Sequence, residues 1–153
     1  MRLWLLRHGE AQPQAATDAA RALTARGCEQ VRKAALQLEG RPLRQIIASP
    51  YLRTQQTAAL VAEVLGYDSP IITVPWLTPD SQSRNVIRQL DRYADEEVLL
   101  VTHQPLVGDL AGLLMYGHRE QPLPMMTASL AELDGPMVAA GTMDLLAVVH
   151  AHH

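Results

Sequence analysis

The fold this sequence predicts is a three-layer α/β/α sandwich, with a mostly parallel central sheet and an antiparallel hairpin at its carboxyl-terminal end. Three observations predict it. Short apolar runs alternate with helix-like segments as far as Met115, the order of elements that builds a parallel sheet covered by helices. Three of these runs end in polar residues: Leu3–Leu6 in Arg7-His8-Gly9, Gln45–Ala48 in Ser49-Pro50, and Val98–Val101 in Thr102-His103. Beyond Met115 the pattern changes. Thr127–Leu133 and Met143–Val149 flank Asp134-Gly135 as two strands of a hairpin with a loop longer than two residues.

In chain order, Leu3-Trp4-Leu5-Leu6 reads as a buried strand, with a helix segment as the competing assignment for so short an apolar run. Gly9 then allows a sharp turn without a Cβ clash. Residues 11–22, Ala-rich with Pro13, form a loop over that strand end. Thr24 is an N-cap for a helix in which Leu23, Cys28, Val31, Ala35 and Leu38 keep a rough helical spacing. Gly40 and Pro42 stop it. Tyr51 to Leu65 forms a second helix ended by Gly66, and Ile71–Val74 a third short strand. Pro75 to Ser83 is a loop. Arg84 to Tyr93 is a helix with Val86, Ile87 and Leu90 on one face, and Pro105 opens a last helix that runs to about Met115. The terminal His150-Ala151-His152-His153 reads as a frayed tail, and His118 as loop.

At 153 residues, 1–153 is expected to be a single domain with a proper core. Apolar residues make up 48% and charged residues 19%, the balance of an ordinary globular protein rather than a disordered one. Phe is absent, so Leu, Val, Ile, Ala and Met must fill the interior. A net charge of −3 gives no general affinity for nucleic acid. One cysteine, Cys28, rules out an intramolecular disulfide and fits a reducing compartment. The Leu3–Leu6 run is too short for a signal peptide and ends at Arg7. No apolar run approaches the ~20 residues of a membrane span. A cytoplasmic protein with no membrane partner is the expectation.

In an open, mostly parallel sheet the carboxyl ends of the strands share one edge, where ligands bind. Arg7, His8, Arg53 and His103 would meet there. Arginine presents a rigid fork of donors suited to phosphate oxygens, and a neutral histidine is a nucleophile near physiological pH. Two cations beside two imidazoles favour a phosphoryl site over a carboxylate or metal site.

Several blocks occur together in order. They are Arg7-His8-Gly9-Glu10, Leu23-Thr24 with Gly27, Ser49-Pro50-x-x-Arg53-Thr54 with Gln56-Thr57-Ala58, and Val101-Thr102-His103. Arg21, Leu77-Thr78-Pro79 and His103-x-Pro105-Leu106-Val107-Gly108 add to them. In these blocks residues 2–116 resemble the histidine phosphatase superfamily, with its phosphoglycerate mutase-like fold. The short length is most similar to the SixA-type phosphohistidine phosphatase branch. The resemblance implies His8 as the nucleophile that takes the phosphoryl group, Arg7 and Arg53 as clamps on its oxygens, and His103 as a further donor. Gly9 and Arg21 would contribute to substrate binding. It implies no metal and no cofactor, because preorganised cations stabilise the charge on the transferring group.

Many members that act on alcohol phosphates carry a carboxylate after the third strand as general acid. Here that region, Pro75 to Gln82, offers Asp80 alone. An alkoxide needs a proton to leave. An imidazole, with an unperturbed conjugate-acid pKa of about 6.5, is a far better leaving group. The absence of a sizeable insertion between Arg53 and His103 leaves no cap to enclose a small metabolite. Both features favour phosphohistidine on a phosphotransfer protein of a phosphorelay as substrate. The alternatives are a small-molecule phosphomonoesterase of the same superfamily and a non-catalytic phosphohistidine-binding module. Taken one at a time, the same residues have plainer readings: Ser49 is structural, Cys28 a core residue, and Asp80 a loop or N-cap residue.

Overall fold

A computed structural model describes residues 1–151. Its centre is one six-stranded sheet in the order β3-β2-β4-β1-β5-β6. The strands are β1 (Arg2–Arg7), β2 (Gln45–Ala48), β3 (Ile72–Thr73), β4 (Val98–Thr102), β5 (Leu130–Asp134) and β6 (Asp144–Val149). β1, β2, β3 and β4 run parallel; β5 is antiparallel to β1, and β6 to β5. The helices are α1 (Ala25–Leu36), α2 (Leu52–Leu65), α3 (Ser83–Leu90) and α4 (Leu106–Tyr116).

Strand alternation divides the core into two layers. Trp4, Leu6, Ile46, Ala48, Leu99 and Val101 pack with Val31, Ala35, Ala58 and Val61 of α1 and α2. Leu3, Leu5, Ile47, Val98 and Leu100 pack with Val86 and Leu90 of α3 and with Leu110 and Leu114 of α4. β1 and β4 are apolar on both faces because helices cover both, as parallel strands require. The strand assignment of Leu3–Leu6 therefore holds against the helical one.

The differences from the sequence reading have local causes. β3 shrinks to two paired residues between Pro70 and Pro75, which cannot donate to a ladder, although Val74 N–H still reaches the Ala48 carbonyl at 3.0 Å. The loop expected over Pro75–Ser83 opens with a 3₁₀ turn at Pro75–Leu77, and the loop over 11–22 contains another at Asp18–Ala20. α3 starts one residue early at Ser83 and gives way to a 3₁₀ turn at Asp91–Tyr93. β5 begins at Leu130 rather than Thr127. Ala128 takes a positive φ of 58° and turns its N–H to the carbonyls of Arg7 and His8, at 3.1 and 2.9 Å. Segment 127–129 is thus a brace for the end of β1. The tail expected to fray from His150 is held there by His150 Nδ1 and Ser129 Oγ, 2.6 Å apart; His152 and His153 lie outside the described residues. No helix among the described residues is long and apolar enough to cross a membrane.

Candidate active site

The carboxyl ends of β1, β4 and β2 come level at one edge of the sheet. Arg7 pairs with Thr102, Ser49 N–H donates to the Val101 carbonyl at 3.2 Å, and His8 N–H to the Thr102 carbonyl at 3.0 Å. β4 lies between β1 and β2, so His103 has His8 on one side and Ser49 on the other. Its ring is 5.2 Å, edge to face, from that of His8. Arg53, on the first turn of α2, brings its Nε to 3.3 Å from His8 Nε2. The four residues expected to meet do so.

Gly9 serves His8 rather than presenting a free N–H. Its N–H donates to Thr57 Oγ1 at 3.2 Å, and its carbonyl lies 2.7 Å from His8 Nδ1. A carbonyl only accepts, so Nδ1 carries the proton and Nε2 holds a lone pair directed at the Arg53 N–H. A Cβ at Gly9 would sit 2.5 Å from the Gly27 carbonyl oxygen, so glycine there lets β1 run in against the start of α1. Burial lowers the pKa of His8 to about 4, with Arg53, Arg7 and Arg21 adding to the shift against the Gly9 carbonyl. The imidazole is neutral at neutral pH, which is the state a nucleophile needs.

His103, 1% exposed, is likewise held neutral, at about 3, first by burial and then by His8 and the arginines. Its Nε2 is 2.8 Å from Ser49 Oγ, and its Nδ1 has no hydrogen-bond partner among the described residues. Arg7 donates through Nη1 to the Met125 carbonyl at 2.9 Å, while its buried Nε has no partner among the described residues. Buried polar nitrogens without partners are rare, and each asks for an explanation.

Two side chains that sequence reasoning passed over complete the arrangement. Asp18 reaches in from the 11–22 loop. Arg53 donates through Nη1 to its carbonyl at 2.7 Å and through Nη2 to its carboxylate at 3.1 Å. The other carboxylate oxygen accepts from Arg21 Nη1 at 2.9 Å. Arg21 also donates to the Gln12 carbonyl at 2.6 Å, so it reaches the site through Asp18. Hydrogen bonds from Arg21, then Arg53, hold the Asp18 carboxyl below its usual range despite its exposure. The second is Tyr51, whose ring lies 5.0 Å from the Arg53 guanidinium and 5.0 Å, edge to face, from His103. Nothing in spacing marks Asp18, which sits in an Ala-rich loop without periodicity. The proximity of Tyr51 to Arg53 in the sequence was the available signal.

Asp80 is exposed, and its carboxylate accepts from Thr78 Oγ1 at 2.9 Å within its own turn. None of its contacts is with His8, Arg7, Arg53 or His103. Among the described residues no group of three or more His, Cys, Asp or Glu side chains is placed to hold a metal ion. A groove of about 380 Å³ runs outward from Arg7 between Gln104, Pro105 and Leu123.

A mixed sheet with two histidines and two arginines at the end of its parallel strands defines a phosphoryl-transfer class, and comparison with known proteins agrees. The profile of the histidine phosphatase superfamily (branch 1) matches residues 3–78. The phosphohistidine phosphatase SixA of Escherichia coli (strain K12) is 37% identical over 134 residues, covering 84% of this chain and 81% of that protein. The SixA homolog of Haemophilus influenzae is 33% identical over 150 residues and covers 87% of each. A solved structure of the protein histidine phosphatase SixA complexed with tungstate superposes with a TM-score of 0.89 at 30% identity, covering 98% of this chain and 97% of that one. The chain belongs to the histidine phosphatase superfamily, on its SixA-type branch. It is accordingly a phosphatase of the kind that uses a histidine nucleophile.

Proposed function

We propose that the chain removes the phosphoryl group from a phosphohistidine carried by a histidine-containing phosphotransfer protein, with His8 as the nucleophile. The supporting observation is the pairing of a neutral His8, its Nε2 lone pair free of a proton, with the unpartnered donors around it. In the first step His8 Nε2 bonds to phosphorus as the P–N bond of the substrate, protonated on its other ring nitrogen, breaks, and a neutral imidazole departs with that electron pair. Arg7, Arg53 and His103 take the charge on the equatorial oxygens. In the second step water attacks phospho-His8, the new P–N bond breaks, and inorganic phosphate leaves with His8 restored. Neither step requires a metal or cofactor in this reading.

Two features favour a protein substrate with an imidazole leaving group. Asp80, the carboxylate in the position where an acid is expected, is turned into its own loop. The segment between α2 and β4 holds β3, two short turns and α3, and no cap. The open groove beside Arg7 has room for residues flanking a phosphohistidine. The same features fit a cytoplasmic phosphorelay component acting as a single domain.

The test is phosphate release from phosphorylated phosphotransfer proteins. Wild type should release phosphate, and His8→Ala should not, while keeping its fold. Label trapped on the enzyme should be acid-labile and alkali-stable, as a phosphoramidate is. Acid-stable label on Ser49 would refute the assignment.

A further inference from the structure

Ser49 is fully buried at the end of β2, and its hydroxyl has two partners: Tyr51 N–H at 3.2 Å and His103 Nε2 at 2.8 Å. Tyr51 N–H can only donate, so it uses a lone pair of Ser49 Oγ. The hydroxyl proton then needs an acceptor, and His103 Nε2 is the one within reach. If instead Nε2 carried the imidazole proton and donated to Oγ, both the hydroxyl proton and the Nδ1 lone pair would be buried without a partner, against Nδ1–H alone in the first arrangement, and native structures keep such groups few. The Ser49 hydroxyl therefore donates, Nε2 is the acceptor, and the single ring proton of a neutral His103 sits on Nδ1.

Nδ1 is the nitrogen with no partner among the described residues. What it offers a phosphoryl oxygen depends wholly on the tautomer. With the proton on Nδ1 it is a donor; with the proton on Nε2 it is a lone pair facing an anion. We infer that Ser49 is a positioning residue, whose hydroxyl fixes the Nδ1–H tautomer of His103 and so makes that histidine a donor to the transferring group. Both histidines then carry their proton on Nδ1, to opposite ends: His8 turns its bare nitrogen to phosphorus, and His103 turns its N–H to oxygen. The second half of this inference rests on the proposed phosphatase reading. The assignment of the tautomer does not.

The wild-type protein, labelled with ¹⁵N, tests the first half directly. Nitrogen chemical shifts and long-range proton–nitrogen correlations for His103 at neutral pH should show a protonated Nδ1 and a bare Nε2. A protonated Nε2, or an imidazolium, would overturn the inference whatever the activity. In Ser49→Ala the Nε2–H form should appear, and kcat should fall by about 10–100-fold, the usual effect of losing a partner that orients a site ligand, with KM little changed. Ser49→Cys, which keeps a weak donor, should fall between the two. In a His103→Ala background, Ser49→Ala should cost little more. An unchanged tautomer with unchanged kcat in Ser49→Ala would overturn the role. A wild type with the expected tautomer but no turnover of any phosphohistidine or aryl phosphate would refute the phosphatase reading and leave the tautomer assignment standing.

Discussion

At the scale of single residues, the site is built from neutral imidazoles and fixed cations, and its pH behaviour follows. Burial lowers His8 to about 4 and His103 to about 3. The unfolded chain, with both near 6.5, binds protons there that the native state refuses. Stability is therefore fully present above about pH 6.5 and lost as pH falls, levelling off only below the folded values. Between pH 6.5 and pH 5 the loss should be on the order of 2 kcal/mol per histidine, and urea denaturation of wild type and His103→Asn across that range should show a shallower slope in the variant. Arg53→Ala should lower the rate by roughly 10²–10³-fold, as loss of a transition-state donor does, and Arg53→Lys should restore part of it, because an ammonium has no fork. Asp18 competes with any anion for Arg53 and Arg21, so Asp18→Asn should tighten inhibition by vanadate severalfold, read from inhibition constants. Asp80→Asn should leave a leaving-group series on phosphate esters unchanged. A dependence on leaving-group pKa that steepens in the variant would make Asp80 a working acid and the enzyme a phosphomonoesterase. Arg7, His8, Arg53 and His103 were legible because each ends or follows a strand, or lies in the first turn of a helix, in a distinctive block. Asp18 was not, because a loop side chain that reaches a site through space leaves no period or motif.

At the scale of elements, the catalytic edge depends on close backbone approaches that glycine permits. Gly27 meets Glu10, where a Cβ would lie 2.0 Å from the carbonyl oxygen; Gly108 and Gly112 meet Leu123 and Gln121, where it would lie 2.5 and 2.4 Å from theirs. The second pair lets segment 121–125 lie on α4, which sets the Met125 carbonyl on Arg7. Gly112→Ala should therefore gain helix propensity yet lose stability, by about 1–3 kcal/mol as overpacked sites do, and lose activity as Arg7 shifts; thermal denaturation and kcat measured together check both. The helices were legible from their spacing and punctuating residues, and the central strands from short unbroken apolar runs. The ends of β3 and β5 were not: prolines shortened one strand, and at the other the backbone of Ala128 was taken by β1 instead of the hairpin.

At the scale of the whole molecule, the layer order was visible in the alternation of elements and in Leu3–Leu6 and Val98–Val101, apolar on both faces. The strand order was not, because it depends on pairings between distant residues. β1 is flanked by β4 and β5, so the first strand made pairs only with residues 98–102 and 130–134. Read as a history, this sets the order in which the molecule can come into being. A growing chain carries Leu3–Leu6 unpaired until residues 98–102 have been made, and a long loop must close before β1 has neighbours. His8 is therefore made well before its surroundings: Arg7 N–H waits for the Ser129 carbonyl, and the His8 carbonyl for Ala128 N–H. The pairing of β1 with β4 brings His8 beside His103, and the later arrival of segment 127–129 braces the end of that strand.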